Sequence, residues 1–186
     1  IEDSPLWHGI WLFHSSNVSI NANTIVRNGW DGVRLEESYN TNIVGNTIHQ
    51  HQNGNGITVG YSSNSMIHEN IISDNVFGIG LEKSSNNTFS RNSIEHNVVG
   101  LLLNDAMMAT GVSVHNTVHE NNFIQNTVSA DFFYNVFIPH HNSWSGNYWN
   151  RPRFFPKPIV GTQNLYYYTL PWLNFDWHPT QKPYDI

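Results

Sequence analysis

Glu36 and Glu82 lie 24 and 22 residues to either side of Gly60, so a repeat of about that length would set two carboxylates in one row with a glycine between them. Paired carboxylates suit glycoside hydrolysis, where one protonates the leaving oxygen and the other activates water or attacks the sugar. Arg34, Tyr61 and Lys83 fall close by in sequence, and Trp11 and Trp30 offer flat apolar faces of the kind that stack on sugar rings. Eleven histidines invite a second chemistry, because imidazole ligates transition metals, and His115, His140 and His141 are the ones that could converge. Asn17-Val-Ser and Asn86-Asn-Thr are the two acceptor sequons for N-glycosylation.

Whether these groups meet depends on the elements that carry them. Taking a glycine as the start of each unit, Gly9, Gly32, Gly56, Gly78 and Gly100 are spaced by 23, 24, 22 and 22 residues. One and three residues after each stand Ile10/Leu12, Val33/Leu35, Ile57/Val59, Ile79/Leu81 and Leu101/Leu103, the alternation of a strand with one buried face. Two further inward columns follow, Ile20, Ile43, Ile67, Phe89 and Ile25, Ile48, Ile72, Ile94. Asparagine, 27 of 186 residues, falls between them. It recurs eight residues on (Asn17, Asn40, Asn64, Asn86), fourteen on (Asn23, Asn46, Asn70, Asn92) and nineteen on (Asn28, Asn75, Asn97, with His51 in place), and serine recurs six on (Ser15, Ser38, Ser62, Ser84).

A period near 22 with three short strands predicts an all-β, right-handed parallel β-helix of about six coils. Equivalent residues then stack about 4.8 Å apart, so each Asn column is expected to form a ladder of amides at a corner, helped by the tolerance of Asn for left-handed backbone. Glu36 and Glu82 would sit about 9.6 Å apart along the axis, near the upper limit for an inverting pair. His115 and His141 would continue the eight-on column in consecutive coils, with His140 adjacent. The step from Asn92 to Asn121 is 29 residues, which places an insertion of about seven near 104–113. After "NSWSGNYWN" the period ends. Residues 1–150 are read as coils, and the Pro- and aromatic-rich residues 151–186 as a cap over the open end. At the other end Trp11 and Phe13 point outward, so preceding coils or a protein contact are expected there.

Charged residues are only 12% and the net charge is −6, so no basic field exists to hold a nucleic acid. Cysteine is absent, which removes disulfides and thiolate ligands. No apolar run is long enough to span a bilayer. The opening "IEDSPLWHGI" lacks the features of a signal peptide, so the expectation is a processed chain or a piece of a longer one.

The units "GIWLFHSSNVSINANTIVRN", "GITVGYSSNSMIHENIISDN" and "GIGLEKSSNNTFSRNSIEHN", with "NSWSGNYWN" after them, resemble the NosD-type parallel β-helix repeat family, also described as carbohydrate-binding and sugar-hydrolysis repeats. The resemblance covers roughly residues 9–150 and implies a fold more than a function. The ending around "PWLNFDWHP" is similar to those of secreted archaeal members. Family resemblance also implies three activities to look for. The Asn-Thr-Asp, paired-Asp, Gly-His-Gly and Arg-Ile-Lys elements of polygalacturonase-like hydrolases and the Asp-Pro-His-Asp of alginate epimerases are absent. A pectate-lyase calcium cluster is not evident among seven scattered aspartates, and "RPRFFPK" does not match the spacing of their Arg-x-Pro-x-x-Arg element.

The leading expectation is a secreted or cell-surface module, non-catalytic, with a structural and glycan-binding role through Trp11, Trp30, Arg34, Tyr61 and Lys83. The alternatives are a polysaccharide-acting hydrolase or lyase using Glu36 and Glu82, and a NosD-like copper delivery factor using His115, His140 and His141. No resident cofactor is expected.

Overall fold

The structure, a computed structural model, describes residues 1–105, 113–135, 141–165 and 168–186. It is the expected parallel β-helix. The first coil carries β1 (Ile10–Phe13), β2 (Ser19–Asn21) and β3 (Thr24–Val26), and the second β4 (Val33–Glu36), β5 (Asn42–Val44) and β6 (Thr47–His49). The third and fourth carry β7 (Ile57–Gly60), β8 (Met66–His68), β9 (Ile71–Ser73), β10 (Phe77–Glu82), β11 (Thr88–Ser90) and β12 (Ser93–Glu95). The last two carry β13 (Val99–Asn104), β14 (Thr117–His119), β15 (Asn122–Ile124), β16 (Val128–Asn135), β17 (Ser143–Ser145) and β18 (Tyr148–Trp149). Each side of the coil is a parallel sheet of six such strands, and the first side gains two more, β19 (Lys157–Leu165) and β20 (Tyr168–Asp176).

Register follows the sequence period, with Ile10 opposite Val33, Val33 opposite Ile57, Ile57 opposite Ile79 and Ile79 opposite Leu101. Strand alternation therefore points one side chain of each pair into a continuous bore, which Ile25, Ile43, Ile48, Ile67, Ile72 and Ile94 fill with no exposed surface. Burying each such side chain is worth about 1.5–3 kcal/mol, and the stack repeats that gain coil after coil. At the far end the bore widens into aromatics, where Phe123 and Trp149 stack with ring centroids 4.5 Å apart. Glycine at the start of each coil is a steric need: a Cβ on Gly56 would lie 2.4 Å from Ile72 Cγ2 and 2.7 Å from the Gly78 carbonyl oxygen.

The corners correct one expectation. In the first four coils each bend is made by a residue with φ between 47° and 64°, in the columns His14/Glu37/Tyr61/Lys83, Asn17/Asn40/Asn64/Asn86, Ala22/Gly45/Glu69/Arg91 and Arg27/Gln50/Asp74/His96. The ladder residue is the one that follows. A left-handed residue reverses the chain so that the next side chain turns inward, where its oxygen accepts a backbone N–H from the preceding coil. The fourteen-on asparagines form the expected ladder, with Asn46 Nδ2 donating to Asn70 Oδ1 (3.0 Å), Asn70 to Asn92 (2.9 Å), Asn92 to Asn121 (2.9 Å) and Asn121 to Asn147 (3.0 Å). Serine does the same through backbone donors, Ser38 N to Ser62 Oγ (2.9 Å) and Ser62 N to Ser84 Oγ (3.0 Å).

The eight-on column is not a buried ladder. Asn17, Asn40, Asn64 and Asn86 are the left-handed residues themselves and stand exposed. The ladder runs one residue later, through Thr41, Ser65, Asn87, Asn116 and Asn142, where Asn87 Nδ2 donates to Asn116 Oδ1 (3.2 Å) and Asn116 to Asn142 (3.1 Å).

Both ends carry irregular chain. Residues 1–8 lie along the third side of the first coil, with Asp3 N donating to Val26 O (3.3 Å) and Gly29 N to Ser4 O (2.7 Å). At the other end β19 joins β16 in parallel and β20 returns antiparallel to it. The hairpin delivers Asp176, fully buried, to the foot of the asparagine ladder. Its Oδ2 accepts from Asn147 N (2.9 Å), Asn147 Nδ2 (3.0 Å) and Trp149 Nε1 (3.0 Å), and its Oδ1 from Gly146 N (3.2 Å) and His178 N (3.1 Å). A carboxylate accepts without donating, so it ends a ladder whose last member has only donors left to satisfy.

Candidate functional site

Alternation in β1 and β4 sends the aliphatics inward and leaves Trp11, Phe13, Arg34 and Glu36 on the outer face, where the register sets Trp11 beside Arg34 and Phe13 beside Glu36. A polar network ties this face down. Arg34 Nε and Trp11 Nε1 both donate to Glu36 Oε2, at 3.1 and 3.2 Å, and Arg34 Nη1 lies 3.5 Å from Asp31 Oδ2. Asp31 Oδ1 accepts from Asn55 N (2.9 Å), while Asp31 N donates to His8 Nδ1 (3.2 Å). The accepting Nδ1 puts the proton of a neutral His8 on Nε2. Burial pushes the His8 pKa down and outweighs the opposing pull of Asp31, so the neutral ring is favoured.

Over this network lie the indoles. The His8 ring is 5.9 Å from Trp11 and edge-on to Trp30 at 5.3 Å, and Trp7 is 6.5 Å from Trp30. Trp7, Trp11 and Trp30 are 61, 48 and 54% exposed, a contiguous apolar surface instead of scattered side chains. Sequence reasoning named Trp11, Trp30 and Arg34 but missed Trp7, His8 and Asp31. The signal was there in part: His8 and Asp31 each stand immediately before a coil-starting glycine, one period apart.

Tyr61 and Lys83 pair with each other at the bend column, the ammonium donating to the phenol oxygen at 3.2 Å and lying 5.2 Å from the ring centroid. Glu36 and Glu82 do flank Gly60 in register. A Cβ on Gly60 would meet only the Leu35 carbonyl oxygen, at 3.6 Å, so the space between the two carboxylates is open. One oxygen of Glu36 is already taken by Arg34 and Trp11. Most of the segment expected as an insertion, and His140, fall on residues 106–112 and 136–140, outside the described residues. Ser84 N donates to Ser113 Oγ (3.3 Å), and buried Asp105 accepts from Ser113 N (2.7 Å); burial raises the Asp105 pKa.

His115 and His141 stack in consecutive coils, with centroids 5.9 Å apart and planes 18° apart, on the exposed bend column. Stacked rings present faces to one another instead of converging lone pairs. Among the described residues no three His, Asp or Glu side chains come together as a metal site. The sequon residues Asn17 and Asn86 are both exposed at bends.

Fold and surface together define a parallel β-helix with asparagine and serine ladders and aromatic rings on the outer face of its first coils. Residues 2–154 match the family described as periplasmic copper-binding protein (NosD), and the chain belongs to that family. A search of curated proteins gives no match. Among solved structures it is similar to a mutant of the periplasmic alginate epimerase AlgG, with TM-score 0.62 and 20% identity over 88% of this chain and 37% of that one. DFA-IIIase from Arthrobacter chlorophenolicus A6 gives 0.56 and 12% over 83% and 44%. The A-module of mannuronan C-5 epimerase AlgE6 from Azotobacter vinelandii gives 0.53 and 15% over 94% and 54%. The chain thus spans 37 to 54% of the length of these three structures, and the likeness is one of fold.

Proposed function

We propose that this chain is a secreted or cell-surface β-helix module that binds glycans on the outer face of its first two coils. The observation that carries this reading is the set of three exposed indoles, Trp7, Trp11 and Trp30, over the His8–Asp31–Arg34–Glu36 network. Indoles stack on the apolar faces of sugar rings, and a fixed network of donors and acceptors beside them suits ring hydroxyls. Holding the network in place before binding lowers the ordering cost of the complex. Titration of tryptophan fluorescence with oligosaccharides tests it. Trp11→Ala and Trp30→Ala should each weaken binding by about tenfold or more, as loss of a central aromatic anchor does, while Trp177→Ala should not. Equal affinities for all three variants would refute the site.

A second reading rests on the open gap over Gly60 between Glu36 and Glu82. With Glu36 held by Arg34, Glu82 is the candidate proton donor and Glu36 the base that activates water across the gap. Glu82→Gln should abolish cleavage of a bound polysaccharide and leave its binding unchanged; absence of cleavage by the unaltered protein removes this reading. The family description names copper. Copper favours imidazole, thiolate and thioether ligands; cysteine is absent, no three His, Asp or Glu side chains come together among the described residues, and His115 and His141 stack face to face. That pair does not fit a copper centre. Stoichiometric copper that disappears in His115→Ala would reinstate the metal reading.

A further inference from the structure

At the end of the solenoid opposite the indoles, a cleft of about 350 Å³ opens between the sixth coil and the tail. Arg151, Arg153 and Lys157 line it, together with Ser129, Asn150 and the ring of Trp149. Three of the eight basic residues of an acidic chain thus converge on one concavity. The other arginines, Arg27, Arg34 and Arg91, each have a carboxylate within 4 Å. Among the described residues Arg151, Arg153 and Lys157 have none. Lys157 Nζ sits 5.5 Å from the Trp149 ring centroid and donates to the Pro158 carbonyl (2.6 Å), while Arg153 Nε is buried with no hydrogen-bond partner. Burial first, and then repulsion from the neighbouring arginine charges, pushes the pKa values of Lys157 and Arg153 down. Like charges gathered in a concavity with no carboxylate beside them are relieved by a bound anion.

We propose that this cleft binds the oxyanion group of an acidic saccharide, a uronate carboxylate or a sulfate ester, with Arg153 and Arg151 as its charged donors. Guanidinium forks match planar carboxylate and sulfate oxygens. Ser129 and Asn150 beside the charges suit the hydroxyls of the ring that carries the anion. The cleft has the volume of a small-ligand pocket, more than a lone inorganic ion fills. A flat anionic lipid surface could meet the exposed Phe154 and Phe155 of the same loop, but it does not enter a concavity lined by Arg151, Arg153 and Lys157 as a saccharide's anionic group does. Five coils at about 4.8 Å each place the cleft roughly 24 Å from the indoles along the axis, so this site stands independently of the reading above.

The test is isothermal titration of the full chain with oligo-uronates, sulfated oligosaccharides, neutral oligosaccharides of the same length, inorganic sulfate and anionic phospholipid vesicles. An acidic oligosaccharide, uronate or sulfated, should bind at least about tenfold more tightly than the neutral one and weaken as salt rises. Arg153→Gln, and the exposed and therefore fold-neutral Arg151→Gln, should each lower that affinity about tenfold, while Trp11→Ala leaves it unchanged. Equal binding of acidic and neutral sugars, or indifference to both arginine variants, overturns the proposal. So does inorganic sulfate binding as tightly as the sugars, which would mean an adventitious ion only. Vesicle binding that is lost in a Phe154→Ala/Phe155→Ala double variant, without saccharide binding, assigns the surface to lipid instead.

Discussion

Replacing Asn70 with Leu removes a side chain of similar size whose polar atoms serve both neighbouring coils. Its Oδ1 accepts from Asn46 N (2.9 Å) and Asn46 Nδ2 (3.0 Å). Its Nδ2 donates to the carbonyls of Ile43 and His68 and to Asn92 Oδ1, each at 2.9 Å. Asn70 has no exposed surface, so water cannot replace these partners without opening the corner. Asn46 Nδ2 keeps bonds to Ile20 O and Val44 O, which leaves Asn46 N as the donor stranded outright. One stranded buried donor costs about 1–3 kcal/mol, and the under-satisfied carbonyls of Ile43 and His68 bring the total to about 3 kcal/mol. For a chain of this length each kcal/mol lowers Tm by about 2–4 °C, so a drop of about 6–12 °C is expected. Asn70→Asp is the sharper probe: it keeps the acceptor but turns a second oxygen toward three acceptors, and should be no better than Leu at neutral pH. Asn53→Leu, at an exposed position, is the control. Calorimetry of the three variants decides the matter, and equal melting temperatures for Asn70→Leu and Asn53→Leu would refute the ladder as a source of stability.

Asp176→Ala should strand the Asn147 and Trp149 donors at the ladder's foot and cost about 3–5 kcal/mol, whereas exposed Asp185→Ala should cost almost nothing; urea unfolding midpoints compare them. Gly56→Ala should destabilise by several kcal/mol, in the range of severe core overpacking, because its Cβ has no room beside Ile72 and the Gly78 carbonyl; failure to shift the midpoint would disprove the steric reading of the glycine row. Burial lowers the folded-state pKa of His51, whose Nδ1 accepts from Asn28 N (3.1 Å), so the folded protein holds the ring neutral. Its contribution is complete above the ordinary histidine value of about 6.5 and is lost as pH falls below it toward the folded value, by at most about 1.4 kcal/mol per pH unit. His51→Asn, which restores the column's usual residue, should flatten Tm against pH between about 6.5 and 5 relative to the unaltered chain.

The glycine row, the inward aliphatics and the fourteen-on and nineteen-on ladders could all be read from the chain alone. In a solenoid the spatial neighbour of a residue is the residue one period on, so three-dimensional contact is written as spacing. The eight-on asparagines show where that reading stops: both members of an Asn86–Asn87 pair recur with the period, and only the backbone dihedral decides that the first makes the bend and the second faces inward. The columns that make the bends are otherwise chemically mixed, Ala, Arg, Glu, Gln and Tyr among them, because hydrogen bonds between coils hold the left-handed conformation and no particular side chain is required. Contacts that leave the period were invisible for a different reason. Asp176 beneath Asn147 and Arg153 beside Lys157 depend on the path of aperiodic chain at the far end, where sequence separation carries no register and only tertiary packing decides which side chains meet.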